Sequence, residues 1–209
     1  MIIIGVDDTF HLGRETISFL KSMADEAQIC YVHLKASKNR GERIRFETLM
    51  ASVMKSKVIK LCIVEFNNRS LVCLKKIPFD GIIFFDEKIG YKTYTNHHIY
   101  FIKNKIQSIA SCKTFILPDT TRFRLNKDIS YGWSQAAHIS LTSSEEGIGG
   151  VLYVQCILQH PTRPIEGAFS TPREFGVSGK ARYPEQLLAA VAVLVLYSFN
   201  LNKTRYNLE

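Results

Sequence analysis

Met1 to Met23, MIIIGVDDTFHLGRETISFLKSM, reads as a buried strand, a glycine-bounded turn and an amphipathic helix in succession. Ile2, Ile3 and Ile4 form a β-branched run that ends at Gly5. Ile17, Leu20 and Met23, with Phe19 beside them, recur at helical spacing after Gly13. β-branched side chains suit a pleated surface, and the switch to a period near 3.6 marks where strand gives way to helix.

Strand, glycine loop and helix in that order is the setting of a phosphate-binding loop. Seven residues separate Gly5 from Gly13, and Arg14-Glu15 stands where a Walker A loop carries Lys-Ser/Thr. A phosphate cradle needs backbone N–H groups, a helix N-terminus and a Lys converging on one anion. Here Asp7, Asp8 and Glu15 set three carboxylates against Arg14, with His11 mostly neutral, which favours exclusion of a triphosphate unless a metal intervenes. The structural role for the same residues is a capped turn: Thr9 or Asp8 as the cap, and Glu15 in the first helical turn, where a carboxylate complements the dipole.

Around this stretch, 209 residues suffice for one sizeable α/β domain or one domain with an appended subdomain. Met1 is followed by three isoleucines and Asp7-Asp8, without the basic region or cleavage site of a secretory leader. The longest apolar run, Leu187 to Tyr197, is shorter than the about 20 residues a bilayer span requires, so a buried helix is expected and no membrane partner. Five cysteines, odd in number and set mostly in apolar runs, read as reduced core thiols of a cytoplasmic protein. The net charge of +8 draws on Lys35, Lys38, Arg40, Arg43 and Arg45, with Lys55, Lys57 and Lys60 following. No zinc-finger, RNP-like or helix-turn-helix signature accompanies them, so they read as a solvated face with some polyanion affinity, and nucleic acid is not the expected partner.

Further along, Ile29–Leu34 is a second strand, Lys35 to Glu42 a loop, Arg43 to Lys57 a helix and Val58 to Phe66 a third strand. The continuous apolar centre Leu61-Cys62-Ile63-Val64 predicts a parallel sheet covered on both faces, and Glu65 falls at the strand's carboxyl end, where ligand crevices of open α/β sheets lie. Phe79 to Asp86 is a fourth strand, Ile99 to Ile109 a helix and Thr114 to Leu117 a fifth strand, as in successive βαβ crossovers. From Ile129 short segments (His138 to Leu141, Val151 to Gln155, Ala168-Phe169, Phe175 to Val177) alternate with Gly147, Gly149-Gly150, Pro161 and Pro164 and predict a small antiparallel subsheet. Pro184-Glu185 opens an Ala-rich helix through Leu196. His97-His98 point apart on a helix and read as surface residues rather than metal ligands.

These segments in this order resemble the central ATP-binding domain of the Mur ligase family, which couples ATP hydrolysis to peptide-bond formation in peptidoglycan synthesis, with relatives in folate and poly-γ-glutamate chemistry. The resemblance spans essentially the full chain. It implies a P-loop-NTPase-like α/β fold, mainly a parallel sheet flanked by helices, as a single domain: residues 1–128 a βαβ core, 129–180 a β-rich subsheet, 181–209 a closing helix and tail. Gly5 to Thr16 would correspond to the family's P-loop, so that Gly5, Asp8, Thr9, Gly13, Arg14 and Thr16 form a vestigial phosphate loop. Ile63-Val64-Glu65-Phe66 resembles the strand that ends in a metal-binding Glu, which makes Glu65 the candidate for Mg²⁺. Lys103 falls near the family's carbamylated Lys, with a solvated Lys as the plainer role. Tyr183 and Gln186 would stand where two Asn residues contact adenine, and only Gln186 keeps an amide.

The departures are as informative as the matches. Arg14-Glu15 replaces Lys-Thr, and Arg is no compact point charge among phosphates. Asp86 to Gly90 replaces the family's Asn and Asp-His residues, and Arg69 its His. The family's ligases also use N- and C-terminal domains that this sequence does not include, and positioning supplies much of phosphoryl-transfer catalysis. The expectation is a Mur-ligase-like protein that has lost ATP-dependent amide ligation and acts as a binding or regulatory module in a bacterial cytoplasm, with a protein partner or a second copy and no cofactor. The alternative is an ATP- and Mg-dependent ligase or ATPase component of cell-wall or poly-γ-glutamate type biosynthesis working with partner domains; a weaker one is a polyanion binder.

Overall fold

The computed structural model describes residues 1–9, 11–22, 28–34, 40–75, 77–85, 95–121, 128–159 and 173–196. Among the described residues nine strands and four α-helices make an α/β fold that is mostly parallel. Two compact units emerge: the first holds residues 1–13 and 21–115, the second residues 14–20 and the chain from Ile116 onward.

The first unit contains β1 (Ile2–Asp7), β2 (Ile29–His33), β3 (Leu61–Phe66), β4 (Pro78–Ile83) and the start of β5 (Ser111–Pro118). They are ordered β2-β3-β1-β4-β5. β1 lies parallel between β3 and β4, and β2 is parallel to β3 in the register Cys30↔Cys62, Tyr31↔Ile63, His33↔Glu65. β3 is buried along its whole length, the state expected of a strand covered on both faces. Gly5 is part of this packing: a Cβ there would stand 3.0 Å from Ile82 and 3.1 Å from Phe66.

The helix α2 runs Arg40–Lys55 and turns Phe46, Met50 and Val53 inward. It begins three residues before the Arg43 expected from periodicity, with Glu42 in a first turn whose dipole favours a carboxylate. Its end has a local cause. Ser56 N donates to Val53 O at 3.0 Å, while Ser56 Oγ accepts from Val58 N and Ile59 N, each at 3.3 Å. That turn holds Val58 out of β3, which starts at Leu61 instead of Val58. The helix α3 (Thr95–Ile109) starts four residues before Ile99, its first turn being polar and therefore silent in the apolar pattern.

The second unit contains the remainder of β5, then β6 (Ile129–Gly132), β7 (Ile139–Glu146), β8 (Val151–Leu158) and β9 (Arg173–Lys180), in that spatial order. β6 pairs parallel with both β5 and β7, whereas β7-β8 and β8-β9 are antiparallel. The antiparallel subsheet therefore begins at β7, not at Ile129: Asp119 N donates to Tyr131 O at 2.7 Å and continues the parallel pairing of β5 with β6. The helix α4 (Pro184–Leu196) packs against β6 to β9 and is buried from Gln186 to Leu196. A helix apolar all round has no solvent face to present. Residues Arg14–Leu20 of α1 (Gly13–Ser22) belong to this unit, with Ile17, Phe19 and Leu20 buried. Among the described residues no helix is long and apolar enough to cross a membrane. The segments Asp86 to Gly90, Ala168-Phe169 and residues 197–209 lie outside the described residues.

Candidate functional site

The carboxyl ends of β1 and β3 bring Asp7, Asp8 and Glu65 into one neighbourhood of the first unit. Successive residues of a strand point to opposite faces, so Asp7 and Asp8, at the end of β1, make different contacts. Asp7 is buried, and its Oδ1 accepts from Thr9 N at 3.1 Å and from Thr9 Oγ1. Burial pushes its pKa up to about 6; the hydrogen bonds from Thr9 oppose the rise and the Asp8 charge adds to it. Asp8 N donates to Phe66 O at 2.7 Å, which carries the parallel ladder one residue beyond β1. Its side chain turns the other way: Oδ1 accepts the N–H of Gly13, the first residue of α1, at 2.8 Å, and Oδ2 lies 3.3 Å from His11 Nδ1. Burial raises the Asp8 carboxyl as well, Gly13 opposing and the Glu65 charge adding.

The turn is shaped for this contact. His11 adopts φ 59, a left-handed conformation in which His is enriched among non-glycine residues, and its N–H returns to Asp8 O at 3.1 Å. A Cβ at Gly13 would stand 2.8 Å from Val6 Cγ1 and 3.1 Å from Asp8 Oδ1, so glycine here admits the protein's own carboxylate. Asp8 is thus the residue that caps, as one of the two structural roles open to the turn. Thr9 Oγ1 instead accepts from Asn68 N at 3.2 Å and ties the turn to the residues after β3.

Glu65 is engaged at both oxygens. Its Oε1 lies 2.8 Å from His33 Nδ1, and its Oε2 accepts from the Tyr31 hydroxyl. The register explains the trio: Tyr31 and His33, two apart on β2, share the face on which Glu65 projects from β3. Burial and the Glu65 carboxylate together hold the Tyr31 phenol above its usual range, and the Lys21 ammonium sits 3.6 Å from the Tyr31 ring centroid. Tyr31 and His33 carry no mark in the sequence beyond their period-2 spacing on a strand, and their meeting with Glu65 needed the strand order.

Lys103, expected to be solvated, is instead 4% exposed on α3, its Nζ 5.1 Å from the Phe115 ring centroid. It lies between Ile102 and Ile106 on a helix face turned inward, and its long apolar stem fits there. Among the described residues no group of three or more His, Cys, Asp or Glu side chains is arranged to hold a metal ion.

In the second unit the residues expected on the adenine side are occupied locally. Gln186 Oε1 accepts from Arg182 N and Tyr183 N, each at 3.0 Å, which caps α4. Its Nε2 donates to Glu15 Oε2 at 2.9 Å, and its backbone oxygen accepts from Thr16 Oγ1 at 2.8 Å. Thr16 is fully buried, whereas Arg14 is exposed. The hydroxyl, amide and carboxylate of Thr16, Gln186 and Glu15 are spent on fastening α1 to α4. Neither a protein-family model nor a curated protein matches the sequence.

Proposed function

We propose that this chain is a Mur-ligase-like domain with a P-loop-type β1–α1 connection that has given up ATP-dependent amide ligation and works as a binding or regulatory module in the bacterial cytoplasm. The observation that carries the proposal is the Asp8 carboxylate on the N–H of Gly13. A helix N-terminus attracts an anion because its first N–H groups lack partners and its dipole end is positive. Here the chain supplies that anion itself, so an incoming phosphate meets a filled donor and a negative charge. Glu65, the candidate metal ligand, has both oxygens on Tyr31 and His33, and Gln186, the candidate adenine contact, has its amide on the α4 cap and Glu15. Three separate requirements of ATP chemistry are each diverted to internal bonding. Calorimetric titration of the full chain with Mg-ATP tests the proposal: no saturable heat is expected, and a micromolar dissociation constant overturns it.

A further inference from the structure

Cys30 of β2 and Cys62 of β3 stand opposite each other in the parallel register, and side chains at paired positions rise from the same face of a sheet. That face is the one turned away from Tyr31 and His33. Both residues are free thiols, and a hydrogen bond joins their side chains. Neighbouring strands run about 4.8 Å apart, within the about 4.4 to 6.8 Å that separates the Cα atoms of a disulfide. The strand pairing therefore holds the two sulfurs in contact without a covalent bond.

The surroundings of the two thiols differ. Cys62 is wholly buried, whereas Cys30 is partly exposed. Burial, with Cys30 beside it, pushes the Cys62 thiol up, so it stays protonated and inert toward reagents in solution. A small oxidant therefore meets Cys30 first. An accessible cysteine with a second sulfur poised beside it is the arrangement in which thiols are oxidised reversibly. The remaining cysteines are placed otherwise: Cys73 is buried in the short helix at Leu71–Leu74, Cys112 donates to Thr114 O at 3.1 Å, and Cys156 is buried on β8 of the second unit.

From this geometry we infer that Cys30 and Cys62 are a redox pair, which hydrogen peroxide closes into a disulfide that clips β2 to β3. The Cys30 sulfur attacks the peroxide, the O–O bond breaks, and Cys30 becomes a sulfenic acid as one water leaves. The Cys62 sulfur then attacks that of Cys30. The S–S bond forms, the S–O bond breaks, and the hydroxide departs with the Cys62 proton as a second water. Two thiols thus pass two electrons to one peroxide. Contact between the sulfurs offsets the raised Cys62 thiol, because groups held together need no encounter in solution. The bridge lies one position before Tyr31 on β2 and three before Glu65 on β3, so it fixes the strand pairing on which the Tyr31–Glu65–His33 contacts rest.

This inference goes beyond the binding-module proposal and does not rest on it, since neither thiol belongs to the β1–α1 turn. The test treats the full chain with hydrogen peroxide, counts thiols by maleimide labelling in denaturant and maps the peptides by mass spectrometry. Two of the five thiols should disappear together, in a peptide linking Cys30 to Cys62, and return on reduction with dithiothreitol. Amide exchange along β2 should slow in the oxidised protein. Cys62→Ala should stop at the Cys30 sulfenic acid, trapped by dimedone, and Cys30→Ser should form no bridge to Cys62. The mapping in the parent protein decides the matter even where a variant folds poorly. A disulfide mapped to other cysteines, a bridge between two chains, Cys30 carried to the sulfonic acid beside an intact Cys62, or five unmodified thiols overturns the inference. So does unchanged exchange along β2 once the bridge has formed.

Discussion

Asp8 accepts the N–H of Gly13 at 2.8 Å, a carboxylate placed by the end of β1 on the first amide of α1. That bond gives one of the unpartnered N–H groups of the first helical turn an acceptor from within the chain. Replacing a capping Asp by Ala costs about 1 kcal/mol in typical helices. Asp8→Ala is expected to lower stability by about that amount in urea denaturation, and Asp8→Asn by less, because its amide oxygen still accepts.

Asp7 carries a pH signature of opposite sense to most carboxylates. Its pKa rises from 3.8 to about 6 on folding, so the folded state binds the proton more tightly than the unfolded one. The associated stability is complete below about pH 4 and is lost as the pH climbs through 6. At 1.36 kcal/mol per unit the rise corresponds to about 3 kcal/mol. Asp7→Asn keeps an acceptor for Thr9 and removes the charge. It should therefore be more stable than the parent above pH 7, by up to that amount, and match it below pH 4, as read from thermal unfolding across the range.

The Tyr31 phenol titrates above its usual range partly because it donates to Glu65. Glu65→Gln removes the negative charge while keeping the size of the side chain. NMR titration of the Tyr31 ring should then show its ionisation moving down toward the ordinary phenol value, though not fully, since burial is the larger cause. An unmoved titration would mean that the carboxylate contributes nothing to the phenol.

Gly132 ends β6 with φ 150, and a Cβ built there would fall 2.3 Å from the Asp119 carboxyl carbon. Asp119 cannot simply retreat, since its Oδ2 accepts from Ser134 N at 2.6 Å. Gly132→Ala is expected to cost about 2 to 3 kcal/mol, from backbone strain and overpacking together. In urea denaturation the cost should shrink in a background of Asp119→Ala without disappearing, because the strained φ remains.

Much of the first unit was legible from residue pattern. The isoleucine run, the apolar centre of β3 and the helical recurrence of Ile17 and Leu20 are local signals, and each fell in the element it predicted. Boundaries drifted where a polar turn decided them: Ser56 ends α2 by hydrogen bonds that no hydrophobic period records. The parallel placement of β6 was hidden, because four buried residues look alike in parallel and antiparallel surroundings. Lys103 was hidden too, its spacing being that of any helical lysine, while its burial comes from which face of α3 turns inward.

The candidate site divides along the same line. Sequence alone determined that the β1–α1 connection is acidic at Asp7 and Asp8, that Glu65 falls near the end of a buried strand, and that Pro184 opens an apolar helix, since each depends on residues within a few positions of one another. Only the tertiary structure decided that Asp8 rather than Thr9 caps α1 and that Tyr31 and His33 close on Glu65. It also decided that Gln186 is spent on Glu15 and that β2 stands at the end of the strand order among the described residues. The reason is range: Tyr31 and Glu65 are 34 residues apart and Glu15 and Gln186 are 171 apart. Strand order and helix packing bring such groups together, and neither is written in the local period of the chain.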